Sequence, residues 1–463
     1  MRWRLLSLGV AAAVAISAPP QAIASPDAGP TPGAACSPGS LPEGMQGRAP
    51  AEDVLTGRYA KGYTCNAVVV GRAGVSGGYR VERYVDRAGH ECAFHDSSAF
   101  VGENIPYAGA DGTGVYVLDV SNPQAPRRTA TLRTPAMQSP HESLRLNSAR
   151  GLLVAASSTI ATGPGVVDVY DVRQDCRTPT LLASSPLGIL GHESAFAPDG
   201  RTFYVTSLLT STMSAIDLSD PRVPLLLWTT AEYAAHGASV SLDGKRLFVA
   251  ESRGGGFSGL TVLDVSQVQA RAIAPQVRVV SRLTWPQVSV PQNATPFSRR
   301  GRVYVLEVDE FGERVTGAAR IIDISDEKRP KVVSNLRLAV TQPEFYDALQ
   351  ADPGNGSTGR GYQAHYCSLP SRVDPNIVAC GFIMSGLRVF DIRDVRRPVE
   401  IAYVNKPVLS GSLNPGSFTV AAPAFDPVSK DIWFADGNSG FYVARLNGRA
   451  AMPFADRYVS PGN

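Results

Sequence analysis

Five of the six histidines in this 463-residue chain fall at one recurring position. His141, His192, His236 and His365 each stand thirteen residues before a valine (Val154, Val205, Val249 and Val378) in a short apolar run. Gln292 and Ala421 keep the same offset to Val305 and Phe434. His95 joins them by its distance of 24 residues to Asp119, which ends the following apolar run. Closed into a ring, these positions line one mouth of a central channel. Neutral imidazoles converging on an axis are ligands for copper, zinc, iron or nickel, with metal–nitrogen bonds of about 2.0–2.1 Å. Glu142, Glu193 and Asp96 directly follow three of the histidines. There a carboxylate can orient an imidazole or move a proton, and Gln292 can support the same set. Duplication also copies residues from repeat to repeat, so a histidine at this position can equally serve to hydrogen-bond a neighbouring backbone.

The elements that must carry these residues are short strands. Apolar runs ending in Asp recur: GVYVLD from Gly114, VVDVYD from Val166, MSAID from Met213, LTVLD from Leu260, ARIID from Ala319 and LRVFD from Leu387. GFYVARL from Gly440 is a degenerate seventh copy, with Arg445 where the others place Asp. The repeated Asp precedes turn residues, so it is expected to cap the turn by accepting backbone N–H bonds. The runs that follow the histidines contain Asp199-Gly200 and Asp243-Gly244, strong hairpin signals. Each unit therefore reads as four strands, and seven units without helical periodicity indicate an all-β, seven-bladed β-propeller of four-stranded antiparallel blades. The last unit stops at its third strand near Leu446. An N-terminal segment, at Val68 or at Tyr79, is expected to supply the missing outer strand and so remove the exposed sheet edges.

The runs GVYVLDVSNPQAP from Gly114, ARIIDISDEKRP from Ala319 and GLRVFDIRDVRRP from Gly386 resemble the LVIVD-repeat proteins, a β-propeller family of secreted bacterial proteins. The segment AHYCSLPSRVDPNIVACGF from Ala364 is similar to the same group, and the resemblance extends over residues 62–450. It implies the propeller fold and no single activity. The histidine arrangement is also similar to that of the copper-dependent methanethiol oxidase (selenium-binding) propellers, without a clear match to their motifs.

Arg2 and Arg4 ahead of an apolar run from Leu5 to Ala18, then Ala22-Ile23-Ala24, read as a cleaved secretory signal peptide over 1–24. Residues 25–62 read as a Pro/Gly-rich linker or arm, 63–450 as the propeller and 451–463 as a tail. No later apolar stretch is long enough to span a membrane. The expected compartment is secreted or periplasmic (cell envelope), where an even cysteine count favours three disulfides. Cys367 and Cys380 flank a turn at 372–376, so two strands folded about it would set them opposite each other. Cys65 with Cys92 and Cys36 with Cys176 are the expected pairings for the rest.

A formal net charge of +3 argues against a nucleic-acid partner. Walker, dinucleotide-binding and His-Glu-x-x-His motifs are absent. The insertion before His365 is long enough for a lid over the channel mouth, with Tyr346 and Asp347 as its candidate ligand contacts, and reads equally as a disordered surface insertion. Two readings follow. One is a monomeric binding module whose His-ringed mouth holds a metal or small ligand and whose faces meet a protein or glycan. The other is a metal-dependent, copper-like oxidoreductase with its active site at that mouth.

Overall fold

The computed structural model describes residues 29–97, 99–100, 106–107, 112–158, 165–188, 190–252, 256–310, 317–355, 361–409 and 415–453. The expected signal peptide and most of the tail lie outside them.

Seven antiparallel blades form a ring, each a meander of four strands. Their first strands are Val81–Val85, Arg145–Asn147, Ser194–Phe196, Ala235–Val240, Val290–Arg299, Ala364–Ser368 and Ala424–Asp426, and they lie innermost. Short parallel bridges join neighbours across blades, Glu142 to Glu193 and Arg80 to Ala422. The Asp-ended runs are the third strands. Val115–Asp119 and Val167–Asp171 are buried on both faces up to the final Asp, because each blade is covered by blades on either side. Fourth strands such as Thr180–Ser185 and Leu225–Thr230 meet solvent. The register slips at one place between third and fourth strands in blade after blade, at Val117/Leu118, Ala215/Ile216 and Val389/Phe390 among others. A bulge of this kind increases local twist, which the outer edge of a propeller blade requires.

The repeated Asp caps the turn after its strand. Asp119, Asp217, Asp264 and Asp323 each accept the backbone N–H of the serine two residues on, at 2.9–3.0 Å. Asp171 and Asp391 do the same for Arg173 and Arg393.

The missing strand comes from the N-terminal side. Ala67–Ala73 pairs with Gly440–Leu446 and completes the seventh blade, so the Val68 segment is the donor and the Tyr79 segment opens the first blade. Gly71 sits here against the Pro123 carbonyl, where any Cβ would clash. The preceding Tyr63–Cys65 adds a fifth strand to the sixth blade beside Val399–Asn405. The arm leading to it packs on the propeller instead of standing off in solvent. Its Glu43 pairs with buried Arg388 at 2.7 Å, and Arg48 with buried Asp352 at 2.9 Å.

Three disulfides form: Cys36–Cys65, Cys92–Cys176 and Cys367–Cys380. The last joins directly opposed residues of a strand pair, as the turn implied. The expected Cys65–Cys92 and Cys36–Cys176 pairings do not occur. Cys65 sits beside the sixth blade and Cys92 in the first, whereas Cys36 folds back to 5.0 Å (Cα–Cα) from Cys65. Cys92 instead meets Cys176, in the loop after the third strand of the second blade, at 6.0 Å. A disulfide needs Cα atoms within about 7 Å, and these partners, 4.0–6.0 Å apart, satisfy that.

Candidate functional site

The residues that open the inner strands meet at one end of the axis. His141, His192, His236, Gln292 and His365 are brought together there as the repeat register implied. His95 is not. The inner strand of the first blade is Val81–Val85, so His95 lies on the second strand, Glu91–Asp96. Its ring packs between Tyr116 and Phe441, and Nδ1 bonds the Asp96 carbonyl. The first blade has a tight 86–90 turn and a long connection after Asp96, so the distance from His95 to Asp119 mimics an inner-strand spacing. Tyr79 holds the vacated place, stacked on His141 with centroids 4.4 Å apart and tilted against His365 at 5.4 Å.

Two carboxylates stand among the imidazoles. Glu142 Oε2 lies 3.6 Å from His192 Nε2 and from His236 Nδ1, and 3.8 Å from His141 Nδ1. Its Oε1 accepts the Gln292 amide at 3.0 Å and lies 3.6 Å from His365 Nε2. Tyr366 donates its hydroxyl to Oε2 at 2.6 Å. Glu310, the last residue of the strand Arg302–Glu310, reaches in from the fifth blade, 3.2 Å from His236 Nε2 and 3.0 Å from His365 Nε2. His192 Nε2 lies 3.0 Å from His236 Nε2.

Glu142 and Glu193 occupy the same repeat position but face different ways. Glu193 turns from the imidazoles to Arg80 and Arg145, and accepts from the Asn293 amide at 2.6 Å. His141 has a left-handed backbone, φ 50°, an uncommon conformation for a residue with a Cβ, and it precedes the glutamate that enters the centre. Asp96 meets the His95 imidazole through its backbone carbonyl. It accepts the backbone N–H groups of Tyr79 and Arg80, so it fixes the segment that carries Tyr79. On the 339–363 insertion, Asp347 is exposed and Tyr346 half-buried, and the following Asp352 and Tyr362 bind the arm at Arg48 and Ala49. Glu310, Tyr79 and Tyr366 are the residues that sequence reasoning missed. Tyr366 could have been found, since it follows His365 as Glu142 follows His141.

No protein-family model matches the sequence, and no curated relative matches it. Among solved structures the chain is similar to Kuenenia stuttgartiensis hydrazine synthase, at 13% identity and a TM-score of 0.49, covering 81% of this chain and 97% of that one.

The electrostatics of the cluster ask for a cation. His365 donates Nδ1–H to the Val420 carbonyl at 2.8 Å, which leaves Nε2 facing the Glu310 carboxylate at 3.0 Å. An imidazole nitrogen and a carboxylate oxygen about 3 Å apart need a proton or a metal ion between them. Burial opposes charge on His236, but Glu142 and Glu310 outweigh it and push its pKa up to about 9. Burial, reinforced by neighbouring His236, holds His192 well below the ordinary histidine value, so that ring is a neutral donor. Burial raises Glu142 against the pull of His236 and His365, whereas hydrogen bonds from those two histidines hold Glu310 well below the carboxylate range despite burial. His236 Nδ1 and the Gln292 side-chain oxygen are buried without a hydrogen-bond partner. Two triads, His141–Glu142–His192 and Glu142–His236–Glu310, each set three ligand atoms within 4.8 Å of one another and share Glu142.

Proposed function

We propose that this chain is an exported, LVIVD-type β-propeller that binds a transition-metal ion among His141, His192, His236, His365, Glu142 and Glu310. The observation that carries this reading is the packing of imidazole Nε2 and carboxylate oxygen atoms 3.0–3.2 Å apart around His236, Glu310 and His365. Metal–ligand bonds of about 2.0–2.1 Å place neighbouring ligand atoms roughly 3 Å apart, so small movements of these side chains admit an ion. Imidazole nitrogen with carboxylate oxygen and no thiolate suits zinc, copper, iron or nickel. Three disulfides fit an extracellular or periplasmic protein, and no helix among the described residues is long and apolar enough to cross a membrane.

A second reading, a metal-dependent oxidoreductase, is favoured by one detail. The side chain of His192 keeps 19% of its surface exposed while those of His236 and His365 keep 1%, so a substrate can approach a bound ion from the His192 side. In either case the ion would supply Lewis acidity or redox capacity, while Gln292 and Tyr366 hold Glu142 in place.

The test is elemental analysis of protein exported with its own leader and purified without a polyhistidine tag. Copper, zinc, iron or nickel at one equivalent or more is expected, with loss in a His236→Ala, Glu310→Gln double variant and retention in His95→Ala. Sub-stoichiometric amounts of all four metals in the wild type would falsify the reading.

A further inference from the structure

Glu142 turns its two oxygens to different partners. Oε2 lies 3.6 Å from His192 Nε2 and 3.8 Å from His141 Nδ1, whereas Oε1 lies 3.6 Å from His365 Nε2. On the Oε1 side His236, His365 and Glu310 join it in a set of two imidazoles and two carboxylates. There the Nε2-to-oxygen distances to Glu310 are 3.2 and 3.0 Å. On the Oε2 side His141 and His192 join it in a set of two imidazoles and one carboxylate. Solvent separates the two sets. The side chains of His236 and His365 keep 1% of their surface exposed, while His141 keeps 11% and His192 19%. His236 Nδ1, buried without a hydrogen-bond partner, faces the shared carboxylate at 3.6 Å.

We propose that the mouth holds two metal ions bridged by the Glu142 carboxylate. The inner ion takes His236, His365, Glu310 and Glu142 Oε1, and the outer ion takes His141, His192 and Glu142 Oε2. This rests on the metal reading above and adds the number of ions and the difference between them. A closed site has four protein ligands, and a site that receives an outside ligand has three and keeps a position open. The buried set here supplies four residues and the more exposed set three, with Glu142 counted in both. A single four-coordinate ion on the inner set would leave His141 and His192 unused, although both stand against the same carboxylate. The outer ion is therefore the one that exchanges and meets an exogenous ligand, and the inner one stays enclosed.

The full mature chain, stripped with a chelator and titrated separately with zinc(II) and copper(II), tests this. Two equivalents are expected in the wild type and one in His141→Asn, since asparagine tolerates the left-handed backbone at φ 50°. Two-metal sites hold their ions about 3.5–4 Å apart, close enough for copper(II) spins to couple. Wild type loaded with two equivalents of copper is expected to show lost intensity or dipolar splitting in low-temperature EPR. His141→Asn loaded with one equivalent is expected to show an isolated signal of full intensity. One equivalent in the wild type overturns the two-ion centre and leaves the single-ion reading standing, whereas no stoichiometric metal overturns both. Two equivalents with isolated, full-intensity spins, or two retained in His141→Asn, place the second ion elsewhere and overturn the proposal.

Discussion

Tyr79 stacks face to face on His141, with ring centroids 4.4 Å apart and planes inclined by 28°. The first blade therefore contributes an aromatic wall where four other blades contribute imidazoles. A flat ring against His141 limits its rotation, and residues that orient ligands commonly change metal affinity by about 10–100-fold. Tyr79→Ala is expected to weaken metal binding by that factor in a chelator competition, and Tyr79→Phe to change it little. Equal losses in both variants would assign the effect to the hydroxyl and not to stacking.

Asp96 gives the fold a pH dependence. Burial raises its pKa from 3.8 to about 7, although the N–H groups of Arg80 and Tyr79 pull the other way. The folded state thus binds this proton more tightly than the unfolded chain does. The stability Asp96 contributes is full below about pH 4 and is lost as pH rises through about 7. Asp96→Asn carries no such proton, so its melting temperature relative to wild type is expected to climb between pH 5 and pH 8. A difference that is flat over that window would place the Asp96 titration elsewhere.

The disulfides close loops of very different length. Cys92 and Cys176 are 84 residues apart and Cys367 and Cys380 only 13. By loop entropy the longer bridge stabilises by about 4.5 kcal/mol and the shorter by about 3 kcal/mol. Denaturant titrations of the two double Cys→Ser variants should preserve that order.

Glu43 is one of the anchors of the arm, beside Arg48 and the Cys36–Cys65 bridge. It pairs with Arg388, which is fully buried and also contacts Glu400 at 3.1 Å. Removing one member of a buried ion pair typically costs about 3–5 kcal/mol. Glu43→Gln is expected to open residues 29–50 to limited proteolysis while the blades stay intact, read as a short N-terminal truncation in the mass after reduction of Cys36–Cys65.

The propeller was legible because strand, turn and capping Asp repeat together, and each has a local physical cause. Four histidines of the site were legible for the same reason, since a ring of repeats turns sequence register into proximity. Glu310 was not. It stands five residues after Val305 on a second strand, and the counterparts five residues after Val205 and Val378 are Thr210 and Ile383, so no periodicity marks it. His95 misled because the first blade distributes its loop lengths differently from the others. The pairings of four cysteines depend on which blades adjoin, and spacing along the chain does not encode that.

Ala67–Ala73 is among the first strands to be synthesised, and its partner Gly440–Leu446 is the last among the described residues. Through the emergence of six blades it waits with an open hydrogen-bonding edge carrying Val68, Val69 and Val70. Cys36 and Cys65 can oxidise early in that interval, before Tyr403, which packs beside both, has been made. The histidines take their mutual distances only when the final strand arrives and fixes the first blade, with Tyr79, against Ala422. Assembly of the axial cluster is therefore an event of chain completion, and a protein truncated before residue 440 would present every imidazole and no site.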